Sequence, residues 1–333
     1  MSSERLTLAG AGELAFIRRI RELMPGEGGG VIRSVGDDCL VTEAPAESRM
    51  LFTTDTFVDG VHFALEYFTW REVGARCMEA SVSDIAAMSG LPLYALVSLS
   101  MPRTMLFDDA VELFHGLAET ADSHGCPVSG GETTSTPGPV TVTVTVIGRV
   151  EPGRVVLRSG AVPGDGVYAA GYLGDAMAGL LALQRGEAGY ERLKRSFIRP
   201  AACVALSRAL TGRFRITAMI DLSDGLASDL VHICEESGCS AEVAEEMLPL
   251  SPEFRDLMAE CGEDPAGFAI TAGEDYGLLF TSPDPGLAAI RELDGTPITR
   301  VGRITANVNI TTLVRLDGSS APIRMKGYEH FRS

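Results

Sequence analysis

Residues 218–230 read AMIDLSDGLASDL. An apolar run, Ala218 to Ile220, leads into Asp221. Ser223, Asp224 and Gly225 follow, and a helix-like stretch then carries Asp229. The run reads as the end of a buried strand, and the rest as a turn entering a helix. A short acid ahead of a helical run accepts orphan backbone N–H groups, so Asp224 is an expected N-cap. Asp221 gains no purpose from this. An acid at the mouth of a buried strand needs partners from elsewhere in the chain.

Outward from this corner the chain alternates helical and extended patterns. Residues 12–24 carry apolar residues at helical spacing, and residues 70–89 and 107–124 read as long helices. VGDDCLV (35–41), MLFTTDTFVDGVHF (50–63) and LYALVSLSM (93–101) read as strands. TVTVTVIGRV (141–150) is the clearest strand, β-branched at nearly every position. After residue 150 the reading is loop, strand, tight Gly turn and helix over 158–180. Further helices are expected near 200–210, 225–238 and 251–261, and strands near 215–222, 241–244, 276–281 and 298–304. GGETT (130–134) and AGEDY (272–276) each precede an expected strand. The expectation is an α/β (α+β) protein of two domains, 1–150 and 151–333, with mixed sheets flanked by helices.

Acids recur at the ends of the apolar runs: Asp37 and Asp38, Asp55, Glu132, Asp221 and Asp224. Taken singly, each fits a solvated turn. Asp84 is different. Its neighbours on the 70–89 helix, at i±3 and i±4, are Ser81, Ala80, Ala87 and Met88, so it lies on a stripe that should pack. A carboxylate there needs a partner or a cation. Carboxylates from several strand ends suit a hard cation such as Mg²⁺, with Thr53, Thr54 and Ser223 adding neutral oxygens.

Composition narrows the field. The chain has 333 residues, enough for about two domains, with 45% hydrophobic and 22% charged residues. A formal net charge of −17 argues against a bare nucleic-acid binder, which needs a basic footprint. It still allows an anionic substrate held through metal ions. Seven cysteines without a C-x-x-C fit buried reduced thiols. Neither an apolar signal core nor a membrane-spanning run is found, so a soluble cytoplasmic protein is expected. Only two lysines exist, Lys194 and Lys326, and neither sits in a P-loop. The H-R-D, D-F-G, H-E-x-x-H and G-x-S-x-G motifs are missing too. Phosphate handling would need another device, and acids that bind Mg²⁺ supply one.

VGDDCLV, TTDTFVDGVHF, SVSDIAAMSG, GGETT, RSGAVPGDGVYAAGYLGDAMAGL, MIDLSDGLASDL, AGEDYGLLF and KGYEHF occur in that order from about residue 12 to 331. This series resembles thiamine-monophosphate kinase, of the PurM-like superfamily of ATP-using enzymes. The resemblance implies a PurM-like two-domain fold and direct, in-line transfer from ATP to thiamine monophosphate, giving thiamine diphosphate and ADP. Several Mg²⁺ ions take part and no covalent nucleophile. It also implies a homodimer built through N-terminal domains that bind ATP and Mg²⁺. Carried over by motif, Asp38, Thr53, Thr54, Asp55, Asp84, Glu132, Asp221 and Asp224 are the metal ligands. Arg158, Ser223 and Gly131 would contact ATP. His62, Glu274 and Tyr328 would line the thiamine-phosphate pocket. Glu132 stands where the family usually has Asp, and Gly277 where it usually has an acid. The alternatives are another enzyme of the superfamily, such as an aminoimidazole ribonucleotide synthetase-like ligase, and a non-catalytic relative that binds thiamine phosphates or nucleotides. Retention of an oxygen ligand at every position argues against the second.

Overall fold

The computed structural model describes residues 6–11, 16, 19, 20, 22, 23, 31–33, 41, 42, 47–306 and 311–323. It divides into two compact units, Met1–Ile85 with Gly90–Pro152, and Ala86–Ser89 with Gly153–Ser333.

In the first unit a short helix, α1 (Leu8–Ala11), precedes an antiparallel pair, β1 (Val31–Arg33) and β2 (Val41–Thr42). Then come β3 (Arg49–Val58), α2 (Trp70–Ala87), β4 (Leu91–Met101), α3 (Phe107–Ser123), β5 (Val128–Ser135) and β6 (Thr141–Val150). The main sheet has the order β3-β6-β4-β5, with only the β4–β5 pair parallel. TVTVTV explains its two faces. Successive strand residues point to opposite sides. Val142, Val144 and Val146 are fully buried, while the threonines between them are not. Thr54 bonds Thr145 and Thr56 bonds Thr143 at 3.0 and 2.9 Å, forming an exposed hydroxyl ladder. Helices α2 and α3 meet through Gly74 and Gly116. A Cβ at Gly74 would lie 2.1 Å from the Leu113 carbonyl oxygen, and one at Gly116 would lie 1.9 Å from that of Arg71.

The second unit carries β7 (Gly166–Ala170), α4 (Asp175–Arg185), α5 (Glu191–Ile198), α6 (Val204–Arg213), β8 (Ala218–Asp221), α7 (Leu226–Ser237) and β9 (Ser240–Ala244). Next come α8 (Pro252–Cys261), α9 (Pro265–Thr271), β10 (Leu278–Ser282), β11 (Glu292–Leu293), β12 (Thr296–Thr305), β13 (Thr312–Val314) and β14 (Ser320–Pro322). The sheet order is β14-β13-β9-β12-β7-β10-β8, with β11 paired to β12. Its central strands are buried on both faces. Val167, Ala169, Ile220 and Leu279 join one core cluster, and Tyr168, Ala170, Met219 and Phe280 the other. Two-sided burial is why β7 is apolar throughout, and why β8 and β10 are apolar up to Asp221 and Thr281.

Several expectations need correction. GGETT does precede the β6 strand, but it also lies within a strand of its own, β5, which was not expected. The strand expected over 50–63 stops at Val58, where the chain turns so that Gly60 N–H meets the Phe63 carbonyl. Helices α5 and α9, eight and seven residues long, are too short to show a clear period. The expected helix over 12–24 and strand over 35–41 fall mostly outside the described residues.

Candidate active site

In the first unit, strand pleat and helix turn bring Asp55 and Asp84 together. Asp55 is on the helix-facing side of β3, and Asp84 is on the last turns of α2. The Thr53 hydroxyl, two residues before Asp55 and so on the same face, donates to Asp84 Oδ2. Burial, with the Asp84 charge adding to it, lifts Asp55 to about 6. Ser81 lies beside Asp55 and tempers the rise. Its buried hydroxyl makes no hydrogen bond of good geometry. Asp84 thus has a hydroxyl partner and an acidic neighbour, as its packing stripe demanded.

The same pleat separates other expected ligands from this pair. Asp55 pairs across the sheet with Val144, which pairs with Val97, which pairs with Gly131. Thr56, Thr143, Ser98 and Glu132 form the adjacent row. Adjacent rows point to opposite faces. Glu132 therefore sits on the face away from Asp55, and on the opposite edge of the sheet, about 14 Å away by three strand spacings. It is exposed, and its carboxylate accepts the N–H of Thr133 at 2.9 Å. Gly131 shares the Asp55 row, and a Cβ there would lie 1.8 Å from the Val97 carbonyl oxygen. The Thr54 hydroxyl joins the ladder on the far face.

In the second unit, β8 ends at Asp221 and the chain turns through Ser223, Asp224 and Gly225 into α7. Asp221 is buried and Asp224 exposed. Asp224 is not the N-cap. Gly225 occupies that position with φ 96°, and no side chain caps the helix there. The relation is reversed: Asp229, one turn into α7, accepts the backbone N–H of Asp224. Asp229 is buried, and its Oδ2 has no hydrogen-bond partner. Burial, then Asp221 and Asp224, push its carboxyl well above the usual range, while Arg158 pulls it down. In the sequence Asp229 is simply carried by the helix-like stretch, and its spacing to the turn assigns it no role.

A second loop clamps this corner. The N–H groups of Glu274 and Tyr276 donate to the carbonyls of Ser223 and Leu222 at 2.8 and 2.9 Å, and Leu222 N–H donates to Gly277. Gly273 and Gly225 permit the approach. A Cβ at Gly273 would lie 2.4 Å from the Ser223 carbonyl oxygen, and one at Gly225 would lie 2.7 Å from that of Ala272. At Gly277 a Cβ would lie 2.2 Å from the Ala170 carbonyl oxygen, so glycine there serves strand packing. Arg158 is exposed on a loop fixed by Ser237, whose hydroxyl accepts the N–H groups of Gly160 and Ala161 at 3.1 Å each. His62 accepts the Val58 N–H through Nδ1 at 3.0 Å, which assigns the proton to Nε2 in the neutral ring. Asp38 and Tyr328 lie outside the described residues.

Among the described residues, no three His, Cys, Asp or Glu side chains converge to hold a metal ion by themselves. The Asp55–Asp84 pair with hydroxyls nearby still fits Mg²⁺. That ion commonly takes one or two carboxylates and completes its shell with waters and substrate phosphates. Six described cysteines are free. No described helix is long and apolar enough to cross a membrane.

Comparison with known proteins bears on this geometry. Residues 36–150 match the family described as AIR synthase related protein, N-terminal domain, and residues 162–315 match its C-terminal domain. The chain is 34% identical to the thiamine-monophosphate kinase of Salmonella typhimurium, over 96% of this chain and 98% of that one. It is similar to the solved thiamine-monophosphate kinase of Stenotrophomonas maltophilia K279a, with TM-score 0.80, 32% identity and coverage of 93% and 98%. AaThiL complexed with AMPPCP and TMP matches with TM-score 0.76 and 30% identity, covering 99% of this chain and all of that one.

Proposed function

The chain belongs to the AIR synthase related family, as a thiamine-monophosphate kinase with the PurM-like fold, and from that footing we propose that it transfers the γ-phosphoryl group of ATP directly to thiamine monophosphate. The products are thiamine diphosphate and ADP. The observation that most directly supports this reading is the half-buried Asp55–Asp84 pair, two acids drawn from different elements onto one face.

The first unit is the ATP- and Mg²⁺-binding half in this reading. Asp55 and Asp84 with the Thr53 hydroxyl would hold Mg²⁺ there, joined by Asp38. Thr54 keeps a place only through main-chain oxygen, because its hydroxyl faces elsewhere. Asp221 and Asp224 would hold Mg²⁺ in the second unit. Bound Mg²⁺ neutralises phosphate charge and aligns donor with acceptor. Glu132 lies off the Asp55 face, and its extra methylene gives it longer reach than an aspartate. Arg158 offers phosphate a charge-assisted grip, with Ser223 and Gly131 as further ATP contacts. His62 presents its Nε2–H to the acceptor substrate, with Glu274 and Tyr328. No general base is needed, because the attacking phosphate oxygen is already anionic near neutral pH. No side chain is phosphorylated on the way.

The active protein is a homodimer in the cytoplasm on this reading. The open face of the first sheet exposes Met50 and Phe52, the latter 70% accessible, beside the threonine ladder. That face is the dimer surface we propose, and Phe52→Glu should yield monomers by light scattering.

The decisive experiment measures ADP release with thiamine monophosphate, thiamine and an aminoimidazole ribonucleotide precursor as alternative acceptors. Only the monophosphate should support turnover. Turnover with free thiamine alone would overturn the substrate assignment, and a stable labelled phosphoprotein would overturn direct transfer.

A further inference from the structure

Helix α4 begins without a local cap. Its N-cap residue, Gly174, has φ 79° and no side chain to offer the orphan N–H groups. The missing acceptors come from 101 residues away: Asp275 Oδ2 accepts Gly174 N–H at 2.7 Å, and Oδ1 accepts Ala176 N–H at 3.1 Å. The carboxylate is bidentate to main chain.

Its neighbours pay the conformational cost. Glu274 and Tyr276, on either side, both have left-handed backbone, with φ 68° and 49°. Side-chain-bearing residues adopt this region reluctantly, and two in one three-residue stretch persist only where the surroundings impose them. Two sets of contacts do so here. Main-chain bonds tie Glu274 and Tyr276 to Ser223 and Leu222. Asp275 ties the residue between them to the start of α4. With the middle side chain committed to the helix, the direction of Glu274 is set. The Tyr276 hydroxyl then lies 3.5 Å from Glu274 Oε2.

We infer that Asp275 is a positioning residue for the acceptor substrate: by capping α4 across the fold, it holds Glu274 in a strained, preset orientation at the edge of the Asp221–Asp224 corner. This rests on the reading of Glu274 as a substrate contact. Asp175, in the first turn of the same helix, does not share the task. It is engaged by Ser251 at 2.7 Å and Arg192 at 2.9 Å. Asp275 therefore acts through Glu274, while the main-chain bonds from Glu274 and Tyr276, which do not involve the Asp275 side chain, go on holding the turn that carries Asp221 and Asp224.

The test compares steady-state kinetics of Asp275→Ala, Asp275→Asn and Glu274→Gln. Asp275→Ala should raise KM for thiamine monophosphate by about tenfold, with KM for ATP and kcat within about twofold. Asp275→Asn retains one acceptor oxygen and should fall between wild type and alanine; it also serves if the alanine variant does not fold. Glu274→Gln should raise the same KM. Equal rises in both KM values, or no rise in either Asp275 variant alongside a clear rise in Glu274→Gln, would overturn the positioning role and leave a plain helix cap. An unchanged KM in Glu274→Gln would instead overturn the assignment of Glu274 itself.

Discussion

The two acidic corners gather their carboxylates by opposite means. In the first unit, Asp55 and Asp84 come from a strand and a helix separated by a long connection, and side chains alone make the contact. In the second, Asp221, Asp224 and Asp229 come from one continuous strand–turn–helix. There the shape is set by main chain: the 272–277 loop is laid against the turn by three backbone hydrogen bonds and two close glycines. The first corner should be sensitive to side-chain chemistry and tolerant in fold. The second should be sensitive to the smallest change in backbone freedom, even where no acid is touched.

The largest effect is expected from removing an acid from the first corner. Asp84→Ala or Asp55→Ala should lower kcat on the order of 10²–10³-fold, the several kcal/mol that metal-borne charge stabilisation is worth. Thermal unfolding of Asp55→Ala should show no loss of stability, because that change relieves Asp84 of a like-charged neighbour and leaves its bond from Thr53 in place. Near-normal turnover at saturating Mg²⁺ would remove both from the metal set.

The converse experiment is Gly273→Ala. Its Cβ would meet the Ser223 carbonyl at 2.4 Å, so the loop must move or the turn must open. A loss of about 1–3 kcal/mol in urea unfolding is expected, the usual cost of overpacking. A neutral Gly273→Ala would mean the clamp is slack and the two corners are not built differently.

These two corners also mark what the sequence made legible. Asp84 and Asp221 were readable because each interrupts an apolar pattern, and a carboxylate in such a place must be accounted for, whereas Asp55, behind two threonines, taken alone fitted a solvated turn. The valine–threonine alternation of β6 disclosed its two faces outright. Sheet register was not readable. Whether Glu132 shares a face with Asp55 depends on pairings β3–β6–β4–β5, which join residues far apart in the chain. Long-range caps were equally hidden. Local capping logic favoured Asp224, whereas the structure lets Asp229 bond the turn and sends Asp275 across the fold to α4. Such pairings carry no spacing signature.

A pH effect sharpens the first corner further. Burial and Asp84 lift Asp55 to about 6, above its ordinary value of 3.8. The folded state then binds the proton more tightly than the unfolded state. Metal-free protein should lose stability as pH rises from about 4 to about 6, by up to about 3 kcal/mol. Urea unfolding in chelator across that range reads the slope, and Asp55→Asn should flatten it. A slope unchanged by that substitution would place its source elsewhere.

The smallest effect gives the finest discrimination, because it tests the strand's pleat. Thr53 and Thr54 are adjacent, chemically identical, and both expected as ligands. The structure gives them different work. The Thr53 hydroxyl donates to Asp84, whereas that of Thr54 bonds Thr145 on the other face. Valine keeps the shape of threonine and removes only the hydroxyl. Thr53→Val should raise the Mg²⁺ concentration for half-maximal activity by about tenfold, the lower end of what a lost partner of a metal ligand costs. Thr54→Val should change it less than about twofold, since an exposed hydroxyl pair contributes little. Equal effects would mean that both oxygens serve the same ion, which a flat strand with its side chains alternating cannot arrange.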